Sequence, residues 1–283
     1  MTGPNPITGQ SLFRDGVARL AAAGLPDPAR DVRLLLAHAL GQPADRLMIL
    51  LHDPVPTEAQ SAFDALLVAR IAGRPVSQIL GRRQFWGRNF RVTADVLDPR
   101  PETEALVAEA LAQPFTRLLD LGTGSGAIAV TLLAECRQAT GLATDLSPEA
   151  LTVARGNAAT FGVETRLSFA QGSWFAAVPG QFDLIVSNPP YITATEMAEL
   201  DPGVLEWEPH LALSPGGDGL DAYRAIAAGA LAHLAPAGRL LVEIGPKQGT
   251  DVAALFTAAG LQALRILPDF DGRDRVVCAQ APG

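Results

Sequence analysis

The sequence predicts an α/β protein: a mostly parallel sheet with helices on both faces, ending in an antiparallel hairpin and preceded by a small helical bundle. Three observations predict it. From about residue 102 onward, apolar runs of strand length alternate with helical stretches, the pattern of a sheet built from crossover connections. Before that point, residues 1–74 carry apolar side chains at helical spacing. The chain of 283 residues is 48% hydrophobic, enough apolar material for a packed core in one large or two modest domains.

Leu12, Val17, Leu20 and Ala21 recur at helical spacing before Gly24, and Val32, Leu35, Leu36, Ala39 and Leu40 do so before Gly41. Thr57-Glu-Ala-Gln60 fits a capping box ahead of Phe63, Leu66 and Leu67, with Gly73 as the stop. These helices make an N-terminal domain of residues 1–74. Residues 75–101 read as a β-hairpin linker, with aromatic and β-branched residues flanking a Gly87-Arg88-Asn89 turn and Asp98-Pro-Arg-Pro101 as a hinge. Trp86 and Phe90 in this hairpin are expected to pack between domains. The α/β domain occupies 102–283. Its strands fall at 117–121, 141–144, 165–170, 182–187 and 239–244, and its helices near 104–112, 126–135, 148–160, 219–234 and 248–259. A last pair, 262–267 and 275–279, forms the hairpin that closes the sheet.

Composition excludes several classes of function. No apolar run approaches the roughly 18 residues that span a bilayer, and the start at Met1-Thr-Gly-Pro-Asn-Pro6 lacks a basic-then-apolar signal pattern, so a soluble cytoplasmic protein is expected. Cys136 and Cys278 are too few for a disulfide framework, and His38, His52, His210 and His233 form no ligand-spaced cluster. No metal is expected. The net charge of −8 divides as 0 over residues 1–74, +3 over 75–100 and −11 over 101–283. An acidic main body is a poor partner for a polyanion, which disfavours naked nucleic acid. The arginines Arg82, Arg83, Arg88, Arg91 and Arg100 of the basic stretch read as a solvated face or as a partner contact.

Chemistry concentrates in two places. Arg117 to Gly126 is a strand running into a glycine-rich turn that opens a helix, with Gly122, Thr123, Gly124, Ser125 and Gly126 in the turn. Asp145 ends the next strand, where a carboxylate can accept both hydroxyls of an adenosine ribose. Together they predict an adenosine-containing ligand, but the spacing also suits a dinucleotide and does not choose between them. The second place is Ser187-Asn-Pro-Pro-Tyr191, directly after an apolar strand. Two prolines stiffen the loop, so Asn188 is held at a fixed angle beside the ligand crevice. If a planar amine or carboxamide donates its N–H bonds to the Asn188 oxygen and the Pro189 carbonyl, its lone pair is aimed at an electrophile. Pro190 stiffens this clamp and Tyr191 offers an aromatic wall.

The glycine turn, the second-strand Asp145 and the Asn188-Pro-Pro-Tyr191 loop together resemble an S-adenosylmethionine-dependent amino-methyltransferase of class I, with a Rossmann-like fold. Gly81–Gly87, Pro99-Arg-Pro-Glu-Thr-Glu104, Glu208-Pro-His-Leu-Ala-Leu213, Asp218-Gly-Leu220 and Gly272-Arg-Asp-Arg-Val276 narrow the resemblance to the bacterial release-factor glutamine methyltransferases, the PrmC or HemK family, over nearly the whole chain. The resemblance implies methyl transfer from S-adenosyl-L-methionine to the side-chain amide (N5) of glutamine in the Gly-Gly-Gln motif of class I peptide chain release factors. S-adenosyl-L-homocysteine would be the product; no membrane partner and a monomeric chain are expected. Gly122 to Gly126 would cradle the methionine and ribose, Asp145 would take the ribose hydroxyls, and Trp174 would lie against the adenine unless it is plain core. Asn188 would serve cofactor and substrate, and Asn188, Pro189 and Tyr191 would be catalytic. Pro190 would complete the substrate clamp, and the front helical domain would recognise the release factor. The family commonly has an acid where Ser173 stands here. The rival readings are an amino-methyltransferase acting on adenine or guanine, a non-catalytic cofactor-binding protein, and a dinucleotide oxidoreductase.

Overall fold

The computed structural model describes residues 6–200 and 202–283, in which the chain divides into two units between Gly81 and Arg82. Residues 1–5, where no basic-then-apolar signal pattern is expected, lie outside the described residues. The first unit contains α1 (Gly9–Ala22), α2 (Pro28–Ala39), α3 (Leu47–Leu50), α4 (Thr57–Ile71) and α5 (Val76–Leu80). Its core is Leu20, Val32, Leu35, Leu36, Leu47, Phe63 and Leu67, residues that the helical spacing largely singles out. The expected capping box is not at Thr57. Pro56, extended and without an N–H, precedes α4, so Thr57 is already helical, and Gln60 donates to the Val55 carbonyl instead (2.7 Å). The reciprocal box lies at Thr8 and Ser11 of α1. The unit also runs past residue 74, because Pro75 starts a further short helix where a linker was expected.

The second unit opens with the hairpin β1 (Arg82–Phe85) and β2 (Arg88–Arg91). Its turn is Trp86-Gly87 rather than Gly87-Arg88-Asn89. Both central residues have positive φ (48° and 69°), as a two-residue hairpin turn requires. Trp86 adopts this conformation with its backbone N–H donated to the Glu104 carboxylate (2.7 Å). Phe85 and Phe90 are fully buried in the unit's own core, where Phe90 packs on Phe161, so the hairpin is part of the α/β unit rather than a linker.

A 3-10 turn, Pro101–Thr103, leads into α6 (Glu104–Leu111), and then strands and helices alternate: β3 (Arg117–Leu121), α7 (Ala127–Glu135), β4 (Thr140–Asp145), α8 (Pro148–Thr160), β5 (Leu167–Gln171) and β6 (Phe182–Ser187). Three short helices follow, α9 (Ala194–Met197), α10 (Pro202–Trp207) and α11 (His210–Leu213), each too short to show a helical period in the sequence. The chain then forms α12 (Asp221–His233), β7 (Leu234–Glu243), α13 (Gly249–Ala258), β8 (Gln262–Pro268) and β9 (Asp274–Gln280). The sheet order is β5-β4-β3-β6-β7-β9-β8, parallel through β7 and antiparallel for the last two strands. Alternate residues of β3 serve two cores. Leu118 joins the layer under α6, α7 and α8, whereas Leu119 and Leu121 join the layer under α12 and α13. Among the described residues no helix is long and apolar enough to cross a membrane.

Candidate active site

Strand order reverses at β3: the chain fills β4 and β5 on one side, then crosses to β6 and β7 on the other. Ligands of such sheets bind outside the carboxyl ends of the strands at this reversal. A cavity of about 670 Å³ lies there, lined by the loops that leave β3, β4, β5 and β6. That volume suits a nucleoside-sized ligand with room for a substrate side chain.

Gly122, Gly124 and Gly126 all have positive φ (68°, 55° and 79°). A Cβ at Gly122 or Gly124 would project into open space on the cavity wall, so glycine there keeps the cradle clear. A Cβ at Gly126 would meet Ala154 Cβ at 3.1 Å, so that glycine serves the packing of α7 on α8. Asp145 accepts the Gly124 N–H (2.8 Å) and the Ser147 N–H (3.0 Å), one on each carboxylate oxygen. Each oxygen keeps a lone pair for a ligand hydroxyl. Asn157, in α8, reinforces the turn: its Nδ2 donates to the Ser125 carbonyl (2.8 Å) and the Arg91 carbonyl (3.0 Å), and its Oδ1 accepts from Arg91 N–H (2.8 Å). Trp174 lines the cavity beside Ser173 and Gly172, and also packs against the core under α12. Cradle, carboxylate and aromatic wall fit an adenosyl cofactor.

Thr123 and Ser125 also line the cavity, Thr123 donating its hydroxyl to Asp120 (2.7 Å). Burial pushes the Asp120 carboxyl up to about 7, against the opposing hydrogen bonds from Thr123 and the Ala129 N–H.

Asn188 and Pro190 line the same cavity as the glycine turn. Pro189 is buried, and Tyr191 is turned away from the cavity lining. The Tyr191 ring packs against the core under α12 and its hydroxyl points to Glu243 Oε1 (3.4 Å). Its carbonyl accepts from Gln248 Nε2 (3.0 Å). The aromatic wall expected of Tyr191 is therefore absent; the residue anchors the loop from behind. Asn188 Nδ2 donates to Thr103 Oγ1 (3.2 Å), and Thr103 Oγ1 donates to Glu243 Oε2 (2.5 Å). Burial pushes the Glu243 carboxyl up to about 7, opposed by Thr103 and by the nearby Arg275.

Across the cavity, Arg100 donates to both oxygens of the buried Glu208 (2.8 and 2.5 Å), joining the start of the unit to the segment carrying α10 and α11. Burial raises the Glu208 carboxyl even with Arg100 beside it. Leu211, Ala212 and Ser214 then line the cavity. Arg88 pairs with Glu135 (2.8 Å), away from this lining. Cys136 is half-buried just beyond α7, and Cys278 is buried in β9 with its thiol pushed up to about 12 by burial. Thr103, Glu243, Asn157 and Gln248 were not found from sequence. Only the Glu-Thr-Glu run at Glu102 to Glu104 carried a signal, and it reads equally as the first turn of a helix.

Two family models match the chain, a PrmC N-terminal domain over residues 11–81 and a methyltransferase small domain over residues 95–201. The first ends where the structure divides its units. A release factor glutamine methyltransferase of Cereibacter sphaeroides is 63% identical over 270 residues, covering 95% of this chain and 97% of that protein. One of Rhodospirillum rubrum is 46% identical over 97% of this chain and 85% of its own length. Among solved structures, a methyltransferase from Pyrococcus furiosus aligns with a TM-score of 0.55 at 15% identity, over 79% of this chain and 100% of that one, which is a likeness of fold. With the glycine cradle, Asn188 and Pro190 on one cavity, these matches establish that the chain belongs to the release factor glutamine methyltransferase family.

Proposed function

We propose that this enzyme methylates the side-chain amide nitrogen, N5, of the glutamine in the Gly-Gly-Gln motif of class I peptide chain release factors. The observation that carries the reading is the placement of Asn188 on the cavity whose other wall is the glycine cradle with Asp145. S-adenosyl-L-methionine, when bound, would supply an electrophilic methyl carried on a sulfonium, with S-adenosyl-L-homocysteine as the product. Gly122 to Gly126 would hold its amino-acid and ribose portions, Asp145 would accept hydrogen bonds from the ribose hydroxyls, and Trp174 with Ser173 would border the base.

A carboxamide nitrogen is a poor nucleophile because its lone pair is delocalised into the carbonyl. Asn188 Oδ1 and the Pro189 carbonyl accept its two N–H bonds, which aims the lone pair and favours the positive charge that grows on nitrogen. The buried Pro189 and the cavity-facing Pro190 keep these acceptors fixed. After transfer the nitrogen loses one proton to water. The first unit recognises the folded release factor, and the enzyme acts in the cytoplasm as a monomer.

The test is mass spectrometry of a purified release factor after incubation with the protein and the cofactor. The Gly-Gly-Gln peptide gains one methyl group; a gain on RNA or DNA and none on the factor overturns the reading. In the same assay Asn188→Ala abolishes turnover while calorimetry finds cofactor affinity within about threefold of wild type, because the glycine turn and Asp145 remain.

A further inference from the structure

A carboxamide has an acceptor on one arm and two donors on the other, and the arms are nearly the same shape. Packing alone therefore leaves the direction of Asn188 undecided. Its neighbours decide it. Parallel pairing sets Ser187 of β6 opposite Val242 of β7, so Asn188 and Glu243 stand one step further along adjacent strands. Thr103, at the end of the 3-10 turn, comes between them: its hydroxyl lies 2.5 Å from Glu243 Oε2 and 3.2 Å from Asn188 Nδ2. Thr103 is buried at 4% exposure, and Glu243 at 1%.

A hydroxyl owns a single hydrogen, and Glu243, ionised once the pH is above about 7, then only accepts. The Thr103 hydrogen is thus committed to Glu243, and its oxygen has only acceptor capacity left for Asn188. Only the NH₂ arm of Asn188 can fill that role. Its oxygen is left facing the cavity, where a substrate N–H needs an acceptor. In the reverse orientation two NH₂ groups would confront each other across the site. The Tyr191 hydroxyl at Glu243 Oε1 and the Tyr223 hydroxyl on the Glu243 carbonyl (2.9 Å) keep the carboxylate in place.

We propose that Thr103 and Glu243 are positioning residues that fix the Asn188 carboxamide with its oxygen toward the substrate amide. The proposal rests on the reading of Asn188 as the group that receives that amide. It gives β7, which brings no side chain to the cavity lining through Glu243 itself, a part in the transfer step.

Three proteins test it, Thr103→Val, Thr103→Ser and Asn188→Ala, with the release factor as methyl acceptor. Valine keeps the shape of threonine but has no hydroxyl. Thr103→Val is expected to lower kcat by roughly 10- to 100-fold, the effect of a misaligned reacting group, with cofactor Kd within about twofold of wild type. Thr103→Ser restores kcat to within about threefold of wild type. Wild-type kcat in Thr103→Val, or an equal loss in Thr103→Ser, overturns the proposal. An independent measurement needs no turnover and no variant to fold. In the NMR spectrum of the wild-type protein, with the Asn188 side-chain amide assigned by through-bond correlation to its own backbone, one Nδ2 proton of Asn188 is protected from exchange. Exchange of both protons at the rate of a free amide also overturns it. If Asn188→Ala itself retains full turnover, the reading of the site fails rather than the relay.

Discussion

A carboxyl group at the end of an interior strand is costly to ionise, and both Glu243 and Asp120 sit there. Glu243 is faced by Thr103 and Tyr191, by Arg275 of β9, by Glu102 of the 3-10 turn and by Tyr223 of α12; Asp120 is faced by Thr123, the Ala129 N–H and Asp145. Unfolded, the two ionise near 4.5 and 3.8; folded, each does so near 7. Between these limits the folded chain holds protons that the unfolded chain has lost. Their contribution to stability is therefore full at low pH and declines as pH rises from about 4 to 7. Each accounts for on the order of 3 kcal/mol over that interval. Urea unfolding at a series of pH values is expected to show a smaller decline for Glu243→Gln than for wild type, and parallel curves would contradict a raised Glu243. Of the site, Asn188 and the glycine turn were legible because each belongs to a short contiguous motif, and Asp145 because it ends the strand that follows the turn. Thr103 and Glu243 were not, since 140 residues separate them and only the tertiary fold brings the 3-10 turn against the end of β7. The inward turn of Tyr191 was equally hidden, because nothing in its neighbours along the chain announces a buried carboxylate behind the loop.

Within α1, Gly16 would cost the helix about 1 kcal/mol relative to alanine if local propensity were all that mattered. Packing reverses the sign. A Cβ there would meet Phe63 Cζ at 2.9 Å and Val32 Cγ2 at 3.1 Å, both in the core that joins α1, α2 and α4. Gly16→Ala is expected to destabilise the helical unit by about 1–2 kcal/mol, read as a lower thermal midpoint, whereas a higher midpoint would show that the ring gives way. Periodicity predicted α1, α2 and α4 well, because their buried faces repeat over three or more turns. It missed α3, α5 and the helices α9 to α11, which are too short to show a period. Such elements are fixed by tertiary contacts, as the Arg100–Glu208 pair does for the segment of α10 and α11. The hairpin turn was misplaced by one residue for a similar reason: the support for Trp86 at positive φ comes from Glu104, outside the hairpin.

At the scale of the chain, charge and domain division bear on the substrate. The α/β body is acidic and the helical segment is neutral, which suits a folded protein as substrate better than a phosphate backbone. If the helical unit grips the release factor, a short peptide containing Gly-Gly-Gln loses that contribution but still reaches Asn188. Such a peptide is expected to show KM raised about 100-fold or more over the intact factor with kcat much closer to it, and equal kcat/KM for the two would remove the recognition role. The α/β architecture was legible almost strand for strand, since each buried strand of a parallel sheet is a continuous apolar run. The order in which the final hairpin joins was not. β9 lies between β7 and β8, so β8 is made first but takes the outer place. A chain whose last strand has not yet docked therefore displays β7 with an open rim and β8 with nothing to lean on, a pair of sticky surfaces inviting other chains until the seven residues Asp274–Gln280 slide in to seal the seam.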